Sequence, residues 1–212
     1  MLISITSIVA INGGEEVTVT LAIQNDSDQG AQCQKQSFVI SSKQYLILGL
    51  CKGECSTEVY DSVEQAAETW SATKKGIFLL GYGSCSKKSL RSKLLSKGFG
   101  KDAASAAVSE LVSMGLLNEK KDASHEAQKC ADKLWGKQRI ASALYEKGYS
   151  AEAVEYALVT LQDSNVSFVQ NCRRLIEKRY GSLPSDKAQR QKAVAALMRY
   201  GYSISEIKEA SI

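Results

Sequence analysis

At 212 residues the chain is long enough to bury a core, as one large or two small domains. A single Pro and 24% charged residues argue for ordered helix over loop, and a net charge of +4 matters only where it is clustered. Six cysteines are too sparse for a secreted disulfide scaffold, and no apolar run approaches the length of a membrane span.

The N-terminal 40 residues read as strand. Val17, Val19, Leu21 and Ile23 alternate with Thr18, Thr20 and Ala22, the period of a half-buried strand. Asn12-Gly13-Gly14 supplies a turn between this run and residues 3–11. Residues 25–30 read as a second turn or loop, 37–40 as a third short strand, and 41–49 as a short helix opened by Ser41 or Ser42. This is a small β element, not a domain with a large core of its own.

From residue 61 the pattern is helical. Helices are expected near 62–81, 87–97, 102–115, 122–135, 137–147, 151–163, 165–180, 186–200 and 204–211, nine in three groups of three. Ser203 with Glu206 spells a capping box, and Ser150 caps alone. Gly100 or Asp102 would take that place in the first group. Pro184 falls in the break before the eighth helix, with Ser185 as its cap.

The middle helix of each group ends in the same phrase. Leu94-Leu95-Ser96-Lys97-Gly98-Phe99 recurs as Leu144-Tyr145-Glu146-Lys147-Gly148-Tyr149 and as Leu197-Met198-Arg199-Tyr200-Gly201-Tyr202, with the glycines 50 and 53 residues apart. Gly just past a helix end accepts the left-handed conformation, and the residue after it packs back on one five positions earlier. Those pairs are Leu94–Phe99, Leu144–Tyr149 and Leu197–Tyr202. A period near 50 residues marks a repeat architecture. The expected fold is mainly α: tandem three-helix repeats over 61–118, 119–164 and 165–212, forming an elongated curved array behind a small β-rich element at 1–60.

Residues 86–101 carry Lys87, Lys88, Arg91, Lys93, Lys97 and Lys101 and no Asp or Glu. Lys87–Arg91 and Lys93–Lys97 are like charges one helical turn apart, each costing about 0.2–0.5 kcal/mol on an isolated helix. Binding a polyanion would offset that cost through counterion release. A solvated face compensated by acids on a neighbouring helix explains the same run equally well. Weaker clusters recur at Lys137 and Arg139, at Arg173, Arg174, Lys178 and Arg179, and at Lys187, Arg190 and Lys192. Lys137 and Arg190 share the register of Lys87 relative to the repeated Gly, which raises the expectation of a basic stripe along the array. Tyr82, Tyr145 and Tyr200 offer rings for bases, although register with Leu95 points Tyr145 inward.

Enzyme chemistry finds no support. Gly81-Tyr82-Gly83 lacks the third Gly and the setting of a dinucleotide site. His125, the single His, sits among Lys121, Asp122 and Glu126 and reads as a surface residue. Cys51 and Cys55 lack a second close pair, so no metal ligands are assigned.

The run Leu80-Gly81-Tyr82-Gly83-Ser84-Cys85-Ser86-Lys87-Lys88-Ser89-Leu90-Arg91-Ser92-Lys93-Leu94, then Lys97-Gly98-Phe99, resembles the first signature of the bacterial regulatory protein family RecX. So does Leu111-Val112-Ser113-Met114-Gly115-Leu116-Leu117-Asn118-Glu119 after it. Gly136-Lys137-Gln138-Arg139-Ile140, then Leu144 and Lys147-Gly148-Tyr149, resembles the second. The β-rich start is similar to that of longer family members. Two departures stand out. The family's basic residues before the second helix have no counterpart at Tyr82, Gly83 and Cys85. Glu119 and residues 120–122 replace a usual Asp and an aromatic neighbourhood.

The resemblance implies a non-catalytic modulator of the RecA recombinase in DNA recombination, repair and the SOS response. Such proteins lie in the groove of the RecA filament on single-stranded DNA. They limit its growth and lower its ATPase and strand-exchange activities. A cytoplasmic monomer without cofactor, metal or membrane contact is expected, since the start of the chain lacks a basic leader and a long apolar core. The expected nucleic-acid or filament-binding face comprises Lys87, Lys88, Arg91, Lys93, Lys97, Lys137, Arg139, Arg173, Arg174 and Arg190. Two other readings fit the residues alone: a helix-turn-helix module over 86–115, and a helical-repeat scaffold for protein partners.

Overall fold

The computed structural model describes residues 2–25, 32–164 and 166–212. Strands β1 (Leu2–Ile11), β2 (Glu16–Asn25), β3 (Gln32–Ser41) and β4 (Gly53–Cys55) form one antiparallel sheet in the order β3-β2-β1-β4. The third strand is longer than residues 37–40 suggest. It pairs along the whole of β2, and that ladder recruits the polar residues Cys33 to Gln36, whose own β preference is weak. The short edge strand β4 has no pattern visible in sequence. Beyond Asn25, the loop expected at 25–30 lies outside the described residues.

Ten helices are described: α1 (Ser42–Leu48), α2 (Thr57–Leu80), α3 (Lys87–Ser96), α4 (Lys101–Ser113), α5 (Glu119–Asp132), α6 (Lys137–Glu146), α7 (Ala151–Asp163), α8 (Phe168–Tyr180), α9 (Lys187–Arg199) and α10 (Ile204–Ala210). The chain divides into two compact units, residues 1–83 with 90–116 and residues 84–89 with 117–212.

In the first unit α2 has two successive jobs. Its N-terminal half lays Val63 and Ala66 on the sheet core of Ile3, Ile5, Val19, Leu21 and Ile40. The half-buried Val59 and Tyr60 pack there too, so the helix starts at Thr57 rather than near 62. Its C-terminal half buries Ala72, Thr73 and Gly76 and packs with α4. A Cβ on Gly76 would stand 2.5 Å from Leu111 Cδ1, so glycine sets how closely the two helices approach. Helix α4 opens at Gly100 without a side-chain cap, and the Gly100 N–H donates to Glu68 Oε1 at 2.7 Å.

Glu16, 5% exposed, ties the sheet to α2. Its Oε1 accepts from Trp70 Nε1 at 2.7 Å and pairs with Lys74 Nζ at 2.8 Å, while Asn12 Nδ2 donates to Oε2.

In the second unit a single core joins Ala127, Ile140, Leu144 and Leu161 of one helix triplet to Cys172, Leu175, Leu197 and Ile207 of the next. Ser150, Ser167 and Asp186 cap α7, α8 and α9, and Ser203 with Glu206 closes a capping box on α10. Asp186 takes the position expected of Ser185. The buried Glu119 accepts from the backbone N–H of Lys87 at 3.2 Å and from Ser150 Oγ at 3.0 Å, so one carboxylate serves the starts of α3 and α7. Glu119→Ala is expected to cost this unit about 1–3 kcal/mol in urea unfolding; an unchanged midpoint would remove the carboxylate from the joint.

At all three repeated helix stops the residue after Gly donates its N–H six-to-one: Phe99 to Leu94 O at 3.4 Å, Tyr149 to Leu144 O at 3.1 Å and Tyr202 to Leu197 O at 3.3 Å. The closure is wider than the repeated phrase. Leu116 donates to Leu111 O at the end of α4, and Trp135 to Cys130 O at the end of α5, where Leu134 takes the left-handed position at φ 59°. Two of the three Gly-aromatic stops are further set apart by where they dock. Gly136 N donates to Tyr200 O at 2.7 Å, Gln138 N to Gly201 O at 3.2 Å, and Tyr202 Oη to Leu134 O at 2.8 Å. The stop of α9 thus caps the start of α6, which has no side-chain cap. One repeat earlier, Ser86 Oγ donates to Lys147 O at 2.7 Å, so the stop of α6 meets the start of α3 in the same register.

Candidate nucleic-acid interface

The basic run begins on α3. Leu90 and Leu94 are fully buried and mark the packed stripe, Lys88, Arg91 and Lys93 fall off it and are exposed, Lys87 is exposed at the first position of the helix, and Lys97 and Lys101 are exposed beyond the helix end. Among the described residues none of these six forms an ion pair. Arg91 Nε donates to Ser105 Oγ at 2.8 Å, and Glu152, itself paired with Lys120, also senses the Lys87 charge. Apart from that Arg91 Nε bond, these six exposed cations, with no paired carboxylate among the described residues, leave their donors to solvent or to an anion.

A second cationic group lies in the second unit, where α9 docks on α6. The Arg139 guanidinium stands 4.1 Å from the Trp135 ring centroid and 4.9 Å from that of Tyr200. Arg179 stands 4.5 Å from the same Tyr200 ring and donates to its hydroxyl, and Lys133 lies 5.9 Å from Trp135. Rings hold these cations where carboxylates usually would. A stacked guanidinium keeps its donors in a fixed plane and loses little entropy when an anion arrives. The part played by Trp135 is absent from the sequence reading. Its signal is an aromatic four residues before an Arg, across a tight helix–helix turn.

The remaining expected residues are dispersed. Lys137, Arg174 and Arg190 are exposed. Arg173 Nε donates to Ala210 O at 3.3 Å, which spends one donor on the end of α10. Tyr200 is covered by guanidinium groups rather than open to a base. Tyr145 is 53% exposed, against the inward position expected from register: Leu144 takes the core position, and the next residue lies about 100° round the helix. His125 is exposed, and among the described residues no three His, Cys, Asp or Glu side chains form a metal-binding group. Cys33, Cys51, Cys55, Cys130 and Cys172 are unbridged, and burial raises the thiol of Cys172 to about 11.

A small antiparallel sheet followed by helix triplets that cap one another defines a helical-repeat protein. The family model for the third three-helix domain of RecX matches residues 167–210, which covers α8, α9 and α10. Regulatory protein RecX of Xanthomonas oryzae pv. oryzae strain MAFF 311018 is 34% identical over 127 residues, covering 59% of this chain and 78% of that one. Regulatory protein RecX of Stenotrophomonas maltophilia strain R551-3 is 30% identical over 127 residues, covering 76% of its length. The chain belongs to the RecX family of regulatory proteins. Its fold is shared with a crystal structure of regulatory protein RecX, at TM-score 0.72 and 19% identity over 98% of this chain and 100% of that one. It is shared also with RecX from Lactobacillus salivarius, at TM-score 0.59 and 22% identity over 68% and 94%. No helix among the described residues is long and apolar enough to cross a membrane.

Proposed function

We propose that this protein modulates the RecA filament on single-stranded DNA, lowering its ATPase activity, strand exchange and growth. Family membership supports the RecA part of this reading. The unpaired, outward-facing cations of α3 carry the DNA part, because phosphates are the partner that offsets their mutual repulsion. The ring-held Arg139 and Arg179, with Lys137, Arg174 and Arg190, extend the proposed binding set. In this reading a β element at 1–60 precedes three three-helix units at 61–118, 119–164 and 165–212. The array occupies the filament groove as a cytoplasmic monomer, without a catalytic step.

The test is RecA ATPase on single-stranded DNA with substoichiometric protein at two salt concentrations. Inhibition well below one copy per RecA is expected. Changing Lys87, Lys88, Arg91 and Lys93 together to Glu should weaken single-strand affinity about tenfold or more and flatten its salt dependence, with helical content intact. Unchanged inhibition by that variant would remove α3 from the mechanism. Site-specific duplex binding without any effect on RecA would replace the reading with a helix-turn-helix module.

A further inference from the structure

The acid-free stretch is longer than α3. Residues 69–101 hold no Asp or Glu and eight cations, Lys74, Lys75, Lys87, Lys88, Arg91, Lys93, Lys97 and Lys101. All the acids of α2, from Glu58 to Glu68, lie in its first half. Its last turn and the turn just beyond it carry aromatic rings instead. Phe78 is 54% exposed and Tyr82 77%, beside Ile77, also exposed. The two rings meet edge to face, with centroids 5.0 Å apart at an interplanar angle of 78°. Lys75 Nζ lies 4.7 Å from the Phe78 centroid.

Helix geometry explains the exposure. The buried side of α2 runs through Thr69, Ala72, Thr73 and Gly76. Phe78 lies about 200° round the helix from Gly76, off the packed stripe. No fold contact therefore requires a ring at this position. The chain nevertheless presents two adjacent rings to water, although exposed large apolar groups of this kind mark interaction sites. Trp135 and Tyr200 hold guanidinium groups against their rings, whereas Phe78 has the single Lys75 ammonium beside it and, among the described residues, no cation stands over Tyr82.

The partner must bring both flat apolar faces and negative charge. Unpaired bases on a phosphate backbone do so, whereas a duplex keeps its base faces stacked inside. We infer that Phe78 and Tyr82 form a stacking platform for unpaired bases of single-stranded DNA, with Lys75 beside the strand. The inference rests on the nucleic-acid reading above and adds to it a site that recognises bases rather than phosphates.

An abasic strand separates the two contributions, since it keeps the phosphates and lacks the faces. The full chain is titrated against labelled oligo-dT and against an abasic strand of equal length, by fluorescence anisotropy. The same is done with the Phe78→Ala/Tyr82→Ala and Phe78→Tyr/Tyr82→Phe double variants, with folding followed by circular dichroism. The wild type is expected to prefer oligo-dT about tenfold or more, with a ratio that persists as salt rises. The alanine variant should lose that preference while binding the abasic strand as the wild type does, and the aromatic swap should keep it. Equal wild-type affinity for both strands overturns the platform and leaves the phosphate-binding face standing. A preference retained by the alanine variant also overturns it. So does loss of RecA inhibition with strand binding unchanged, which would assign the patch to a protein contact. Binding of neither strand overturns the platform together with the DNA reading beneath it.

Discussion

Gly201→Ala is expected to destabilise the second unit by about 2–5 kcal/mol, a fall of about 8 °C or more in thermal unfolding. Two costs combine. At φ +92° a Cβ meets the left-handed penalty of about 1–2 kcal/mol. That Cβ would also stand 2.4 Å from Arg139 N and 2.6 Å from Arg139 Cβ, so the backbone of α6 must move, costing about 1–3 kcal/mol more. Two controls separate the terms. Gly136 has an ordinary φ of −78°, but its Cβ would lie 2.3 Å from Gly201 C, so Gly136→Ala carries only the steric cost. Gly98 has φ +93° with nothing within 4 Å, so Gly98→Ala carries only the conformational cost, in the first unit. Equal shifts for Gly201→Ala and Gly98→Ala would show that the joint relaxes without penalty.

The buried carboxylate in the first unit should produce the next largest effect. Glu16→Gln is expected to cost about 2–3 kcal/mol, because Lys74 and Asn12 lose a charged acceptor while Trp70 keeps a neutral one. Lys74 is half exposed and regains water, which keeps the cost below that of a fully buried pair. The charge also sets a pH dependence. The Lys74 ammonium, bonded to the carboxylate, holds its pKa below the ordinary value near 4.5, with help from Trp70 and Asn12 and against the opposing effect of burial. The folded state therefore binds this proton less tightly than the unfolded chain. The contribution is complete above about pH 4.5 and is lost as pH falls from there through the depressed value. The stability gap between wild type and Glu16→Gln should be constant near neutrality and should narrow below pH 4.5. Urea unfolding followed by Trp70 fluorescence, in a Trp135→Phe background, measures it. A gap that stays constant down to pH 3 would show that shape, not charge, carries the effect.

Local chemistry explains why much of this fold is legible in the residues. Alternation at 17–23, the Ser150 and Ser203 caps and the Gly stops each act over one turn of chain, so their patterns survive in sequence. The same holds for the outward cations of α3, where Leu90 and Leu94 mark the buried stripe. What failed to show was decided at longer range. The first turn of α2 forms because Val59 and Tyr60 meet the sheet, and the polar half of β3 forms because β2 offers a ladder. The inward reading of Tyr145 failed because equivalence to Leu95 names a position in the repeat, not the direction of a side chain.

The helix stops divide the two kinds of information most sharply. A Gly before an aromatic dictates that a helix ends and how its last carbonyls are closed, because only backbone within six residues is involved. Leu134 closes α5 in the same way without a Gly, so even that signal is sufficient rather than necessary. Packing alone decides that Gly201 rests on Gly136, that Glu119 serves helices whose starts are more than 60 residues apart, and that Arg139 is held between Trp135 and Tyr200. Each of these joins residues far apart in the chain, and each depends on where whole helices come to rest.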